Sequence, residues 1–197
     1  MSPKLNVIIA STRPGRIGPT VAKWFSEFAE REGNFDVELV DLAEFKLPLL
    51  DEPMHPAMMQ YQHAHTKAWS RSVASADAYL IVTPEYDFFA PAGLVNAIQA
   101  VMREWSYKPA GIVSYGGISG GLRASQVVRQ LLGNVNAVAI AQSVPLPFVQ
   151  QFIGDDGAFR PSEPVVDGTK VMLNELQRWT VALASLREPK TEQKAAA

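Results

Sequence analysis

The sequence predicts an open three-layer α/β sandwich around a sheet of five parallel strands. Three observations lead there. Five short apolar runs, of the kind a strand covered on both faces needs, alternate with five segments whose apolar residues recur at helical spacing. That order implies parallel strands joined by right-handed crossovers. The 197 residues are 47% hydrophobic, enough to fill one sizeable core and too few for two. Glycine, hydroxyl and arginine residues gather after the first, third and fourth runs, at the strand ends where such sheets bind ligands.

The first strand is Leu5 to Ala10, stopped by the turn composition Ser11 to Arg16. Ile17, Val21, Trp24, Phe25 and Phe28 stripe a helix that Gly18-Pro19 opens and Gly33-Asn34 closes. Phe35 to Val40 reads as the second strand. Pro48, Pro53 and Pro56 make an irregular loop, and a helix is expected from about Ala57 to Ser75. Ala78 to Thr83 is the third strand, ended by Pro84, and Leu94, Ala97, Ile98, Val101, Met102 and Trp105 mark the next helix face. Ala110 to Ser114 is the fourth strand. The helix after it carries Ala124, Val127, Val128, Leu131 and Leu132, with Gly133-Asn134 as its stop. Ala137 to Ala141 is a short fifth strand, followed by a long connection containing Pro145 and Pro147. Met172, Leu176, Trp179, Leu183 and Leu186 stripe the last helix. One domain is expected over residues 1–188, and the tail 189–197, without an apolar anchor, is expected to be disordered. For five strands the expected order is 2-1-3-4-5, the flavodoxin-like arrangement, with a ligand crevice between the first and third strands.

Composition excludes several function classes. Eighteen Lys and Arg against twenty Asp and Glu leave a net charge of -2, without the basic stripe of a nucleic-acid binder. There is no cysteine, so disulfides, thiol nucleophiles and thiolate metal sites are out. Leu5 to Ala10 is too short for a signal-peptide core and no run approaches a membrane span, so the expected location is the cytoplasm. Residues 76–154 hold only eight of the charged residues, which implies a core-rich stretch or a subunit interface. His63 and His65, two apart, would point to different faces of a helix, and His55 lies in a proline-rich loop, so no metal site is expected.

The segment Ser11-Thr12-Arg13-Pro14-Gly15-Arg16-Ile17-Gly18 brings free amides, two hydroxyls and two guanidinium groups to the positive end of a helix dipole. That suits a phosphate, although an ordinary polar turn has the same composition. It lacks both the Gly-Lys-Ser/Thr ending of a triphosphatase loop and the spaced glycines of a dinucleotide fingerprint. Pro84 to Gly93 is stiffened by two prolines and presents three aromatics, which fit either a planar ligand or a cover for the core. Ser114 to Gly121 carries four glycines, allowing close approach of backbone to a ring or simple flexibility.

Together, Ser11 to Arg16, Thr83-Pro84-Glu85-Tyr86-Asp87 and Ser114-Tyr115-Gly116-Gly117-Ile118-Ser119-Gly120-Gly121-Leu122-Arg123-Ala124 resemble the NADPH-dependent FMN reductase family, from about Leu5 to about Val149. The resemblance implies noncovalent FMN, NADPH or NADH as co-substrate, a quinone, flavin or similar small-molecule acceptor, and a homodimer or homotetramer. By the same resemblance, Ser11, Arg13, Arg16, Ile17 and Gly18 match the phosphate loop. Pro84, Glu85, Tyr86 and Asp87 match the border of the isoalloxazine ring, and Ser114, Tyr115, Gly116 and Gly117 its pyrimidine side. Two positions depart: Asp87 stands where the family commonly has Asn, and Val95-Asn96 where it commonly has Lys-Asn. An ionised Asp87 beside the ring would lower the flavin potential.

The expected chemistry is ping-pong transfer of a hydride from NAD(P)H through FMN to the acceptor, with no catalytic side chain, because the cofactor performs the electronic work. The alternative is a flavodoxin-type electron carrier without a nicotinamide reaction. Such carriers are strongly acidic, which this chain is not. A cofactor-free interaction protein would leave the polar and glycine loops without purpose.

Overall fold

In the computed structural model, which describes residues 2–187, the apolar runs become a parallel sheet ordered β2-β1-β3-β4-β5. The strands are β1 (Lys4–Ile9), β2 (Asp36–Asp41), β3 (Ala78–Pro84), β4 (Pro109–Tyr115) and β5 (Val138–Leu146). The helices are α1 (Gly18–Glu32), α2 (Ala64–Ser75), α3 (Ala92–Ala100), α4 (Leu122–Asn134) and α5 (Glu163–Arg187). The tail 189–197 lies outside the described residues.

Alternation along the strands sorts the core into two layers. Leu5, Val7, Ile9, Leu80, Val82 and Val113 meet Val21, Phe25 and Phe28 of α1 and Met172, Leu173 and Leu176 of α5. Ile8, Tyr79, Ile81 and Ile112 meet Trp69 and Val73 of α2, Leu94 and Ile98 of α3, and Val128 and Leu132 of α4. Because β1 pairs with both β2 and β3, the chain leaves it toward one face of the sheet and leaves β3 toward the other. That divergence opens a crevice at the carboxyl ends of the strands.

Several boundaries differ from the sequence pattern, each for a local reason. Residues 57–63 are not α-helical. A 3-10 turn at Pro56–Met58 ends on left-handed Met59, and the Glu52 carboxylate accepts from the Gln62 and His63 amides just before α2. His63 therefore precedes α2, and its ring stacks on that of His65 at 5.2 Å instead of pointing to another face. Strand β5 runs on to Leu146, past an irregularity opposite Ala110 and Ile112, and includes Pro145, which an edge strand tolerates. Left-handed geometry after α1 and α4 falls on Asn34 and Asn136, not on Gly33 or Gly133. Trp69 and Trp105 are core residues, whereas Trp179 and Leu186 are exposed.

Candidate functional site

The chain leaves β1 through Pro14 and left-handed Gly15 and enters α1 at Gly18-Pro19. Helix α1 has neither a side-chain cap nor an acidic residue in its first turn. Outside the turn closed over Pro14-Gly15, no backbone amide from Ser11 to Gly18 donates to a protein acceptor among the described residues. Arg13 is exposed and, among the described residues, unpaired. Arg16 is tied through Nη2 to Asp41 at the end of β2, while its buried Nε has no partner. Behind this loop, the buried Tyr115 hydroxyl donates to Ser11 Oγ at 3.4 Å. Burial pushes the Tyr115 phenol up to about 12, so it stays protonated at neutral pH. Gly18 is required by close approach: a Cβ there would sit 2.8 Å from the Tyr115 hydroxyl and closer still to Ser11 Oγ.

After β3, the Glu85 amide donates to the Tyr115 carbonyl at 3.0 Å, and Tyr86 and Phe89 exchange backbone bonds around a tight turn. Its two central residues, Asp87 and Phe88, are both left-handed, with φ of 48° and 65°. After β4, Gly116 and Gly117 lead to left-handed Gly120 and Gly121. At Gly121 a Cβ would come within 2.7 Å of the Tyr115 amide. The connection after β5 closes the remaining side, with the Phe148 and Val149 amides donating to the Gly117 and Gly116 carbonyls.

These loops enclose a cleft of about 460 Å³ lined by residues of all four connections. Arg13, Arg16 and Ile17 stand on one side of it, Pro84, Glu85 and Tyr86 on another, and Tyr115, Gly116 and Gly117 on a third. Ser11, Gly18 and Ser114 do not line it. Ser11 and Gly18 pack behind Tyr115, and the buried Ser114 hydroxyl donates to the Gly120 carbonyl at 2.8 Å. Asp87 lies at the exposed tip of its turn, outside the lining.

The chain is similar in sequence and fold to known proteins. A model of the NADPH-dependent FMN reductases matches residues 3–151. The chain belongs to the NADPH-dependent FMN reductase family. It is an oxidoreductase that uses FMN and NAD(P)H on a flavodoxin-like fold. A Schizosaccharomyces pombe relative named NAD(P)H-dependent FMN reductase is 39% identical, covering 98% of this chain and 95% of its own. A Pseudomonas putida relative named quinone reductase is 33% identical over 64% of this chain and 67% of its own. The solved structure of FerB, a flavoenzyme NAD(P)H:(acceptor) oxidoreductase from Paracoccus denitrificans, superposes with a TM-score of 0.74 at 19% identity, covering 91% of this chain and 98% of that one.

The reductase's cleft fits FMN on its own geometry. A run of unpaired amides at a helix start, with an unpaired arginine beside it, meets the needs of a phosphate. The volume falls within the roughly 300–1,000 Å³ of cofactor and ligand sites. Sequence reasoning missed Gly15, Val149 and Gln150, which also line the cleft. The last two were hidden because β5 is longer than its apolar run. Once β5 is paired beside β4, its outgoing loop must flank the glycine loop. Asn96, the residue that the Val95-Asn96 pair keeps in common with the family's Lys-Asn, donates to the Pro48 carbonyl and accepts from the Leu50 amide, pinning the loop after β2.

His63 and His65 both face Asp51, and among the described residues no set of three or more His, Asp or Glu is arranged to hold a metal.

Proposed function

We propose that this protein is an NAD(P)H:acceptor oxidoreductase of the cytoplasm that reduces quinones, free flavins or similar flat molecules, donor and acceptor occupying the same cleft in turn. FMN, when bound, supplies the two-electron chemistry that links them. The chain's own residues bind and orient. Arg13, Arg16 and the Ile17 amide take the phosphate, with Ser11 and Gly18 packed against the Tyr115 hydroxyl as the buried floor behind them. Pro84, Glu85 and Tyr86 form the segment along the ring, with Asp87 on the exposed turn beyond it. Tyr115, Gly116 and Gly117 bring backbone to its pyrimidine side, with Ser114 bracing the glycine loop from behind through the Gly120 carbonyl, and nothing within 4 Å would meet a Cβ at Gly117.

The observation that supports this reading most is the convergence of unpaired donors and a glycine loop on one open cleft. The quinone reductase among the relatives supports a flat acceptor. The test is oxidation of NADH or NADPH followed at 340 nm, with FMN-loaded protein, with and without a quinone. Acceptor-dependent loss of the band is expected, with parallel lines in double-reciprocal plots for a ping-pong scheme. An electron carrier of the same fold would bind FMN and leave the band unchanged.

We also propose a homodimer or homotetramer. The apolar stripes of α3 and α4 are consumed by the chain's own core. Support comes from the exposed Phe88, Phe89, Ile118, Leu122 and Phe148, on the connections after β3, β4 and β5 and at the start of α4, all within the charge-poor stretch. Light scattering at micromolar concentration should give at least twice the mass of one chain.

A further inference from the structure

Helix α4 is capped from outside. Its N-cap residue, Gly121, offers no side chain, so the Arg123 and Ala124 amides donate to Glu85 Oε2 at 2.9 and 3.4 Å. The other oxygen, Oε1, accepts from Ser119 Oγ at 3.0 Å and Arg123 Nη1 at 2.8 Å. A carboxylate has about four acceptor positions, and all are taken. Burial pushes the Glu85 carboxyl up, but the guanidinium, hydroxyl and amide donors outweigh it and hold the group below the usual carboxylate range. Glu85 lines the cleft, yet at neutral pH its carboxylate has no capacity left for a proton or a hydrogen bond from a substrate.

Glu85 and its partners lie on two different walls. Glu85 belongs to the loop after β3, and Ser119, Arg123 and Ala124 belong to the loop after β4 and the start of α4. Two successive left-handed residues make a type I′ turn, which favours Asn or Asp first and Gly second. Phe88 in the second place is strained. Although exposed, its ring lies 4.1 Å from the Arg123 guanidinium. One arginine thus holds both the carboxylate and the strained tip.

We infer that Glu85, with Arg123, is a positioning clamp that fixes the spacing of the two walls and through it the fit of the flavin ring. The inference rests on the FMN reading of the cleft. Quenching of flavin fluorescence as FMN is titrated into apoprotein gives Kd, and urea unfolding of the same apoproteins gives stability. Glu85→Gln keeps the shape but turns one acceptor into a donor facing other donors, so Kd should rise roughly ten-fold or more. Arg123→Met keeps the backbone bonds and should raise Kd about two- to five-fold. A residue that only caps α4 would lower the urea midpoint and leave Kd within two-fold of the unaltered protein, and that result overturns the inference. If Glu85→Gln does not fold, Arg123→Met and Ser119→Ala are judged by the same criterion. An unaltered protein that binds no FMN would instead sink the reading of the cleft, and the clamp with it.

Discussion

At the amino end of β4, Glu104 and Lys108 are buried with their partners made. Glu104 accepts from the Tyr61 and Ser70 hydroxyls and the Met102 amide, and Lys108 Nζ donates to the Val73 and Ala74 carbonyls. At the carboxyl end of the same sheet, the amides from Ser11 to Gly18 outside the turn over Pro14-Gly15, and the Arg13 guanidinium, have no protein partners among the described residues. The first region pairs its buried charges from within the chain, although Trp105 Nε1 and Ser72 Oγ beside them have no partner, while the second leaves donors facing a cleft. Substitutions at the closed end should therefore cost stability, and substitutions at the open end should cost ligand binding.

The largest effect is expected from Glu104→Ala. It takes the acceptor from the part-buried Ser70 hydroxyl and the Met102 amide and one of two from the Tyr61 hydroxyl, which keeps the Pro56 carbonyl, and it leaves Lys108 with Asp77 as its nearby negative charge, for a loss of about 3 kcal/mol in urea unfolding. FMN affinity should barely change. A large fall in affinity would mean that the two ends are not independent.

Lys108 adds a pH dependence to the closed end. Burial, and then the charge of Arg187, push its pKa down to about 8, below the usual range for lysine. The unfolded chain therefore holds this proton from about pH 8 to 10.4 when the folded protein has released it, so stability rises with pH across that window. The gain is at most about 1.4 kcal/mol per pH unit. Above about pH 10 it is opposed by Tyr79 and Tyr115, whose raised pKa values make stability fall as the unfolded phenols ionise first. Urea midpoints between pH 8 and 10 should climb in the unaltered protein and flatten in Lys108→Met.

At the open end, Arg13→Ala should weaken FMN binding by about 1.5–3 kcal/mol, the range for a hydrogen bond to a charged group. Stability should change by less than about 0.5 kcal/mol, since an exposed, unpaired side chain supports nothing else. Unchanged Kd in a fluorescence titration would place the phosphate elsewhere.

The two regions were not equally legible in the sequence. The strand runs and helical stripes announce the sheet and its order, because burial on both faces leaves a periodic mark. Ser11 to Gly18 announces an open polar loop for a similar reason: its residue types recur wherever a helix start meets an anion. The closed end is silent, because Glu104, Lys108 and Tyr61 come from separate segments that only the fold brings together. Glu85 is legible as a member of its motif, but its four bonds to the glycine loop and α4 are not, since they span 34 to 39 residues of chain. The extension of β5 to Leu146 is hidden by its register irregularity and by Pro145, which reads as a strand breaker away from an edge.

The smallest effect concerns Asp87, the charged residue where the family commonly has an amide. Its φ of 48° places it in the first position of the turn, where Asp, Asn and Gly are tolerated and other side chains are disfavoured. That conformational demand accounts for the residue without any role for its charge. Being exposed, its carboxylate is also screened by water and salt, which weakens any opposition to a reduced flavin. Asp87→Asn should therefore raise the two-electron midpoint potential by less than about 20 mV, under 1 kcal/mol for such a couple. Asp87→Ala, which cannot adopt the turn at no cost, should destabilise the folded chain by about 1 kcal/mol. Spectroelectrochemical titration of Asp87→Asn with urea unfolding of both variants separates the two roles. A potential shift well above 20 mV in Asp87→Asn, with Asp87→Ala as stable as the unaltered protein, would make Asp87 a tuner of the flavin instead of a turn residue.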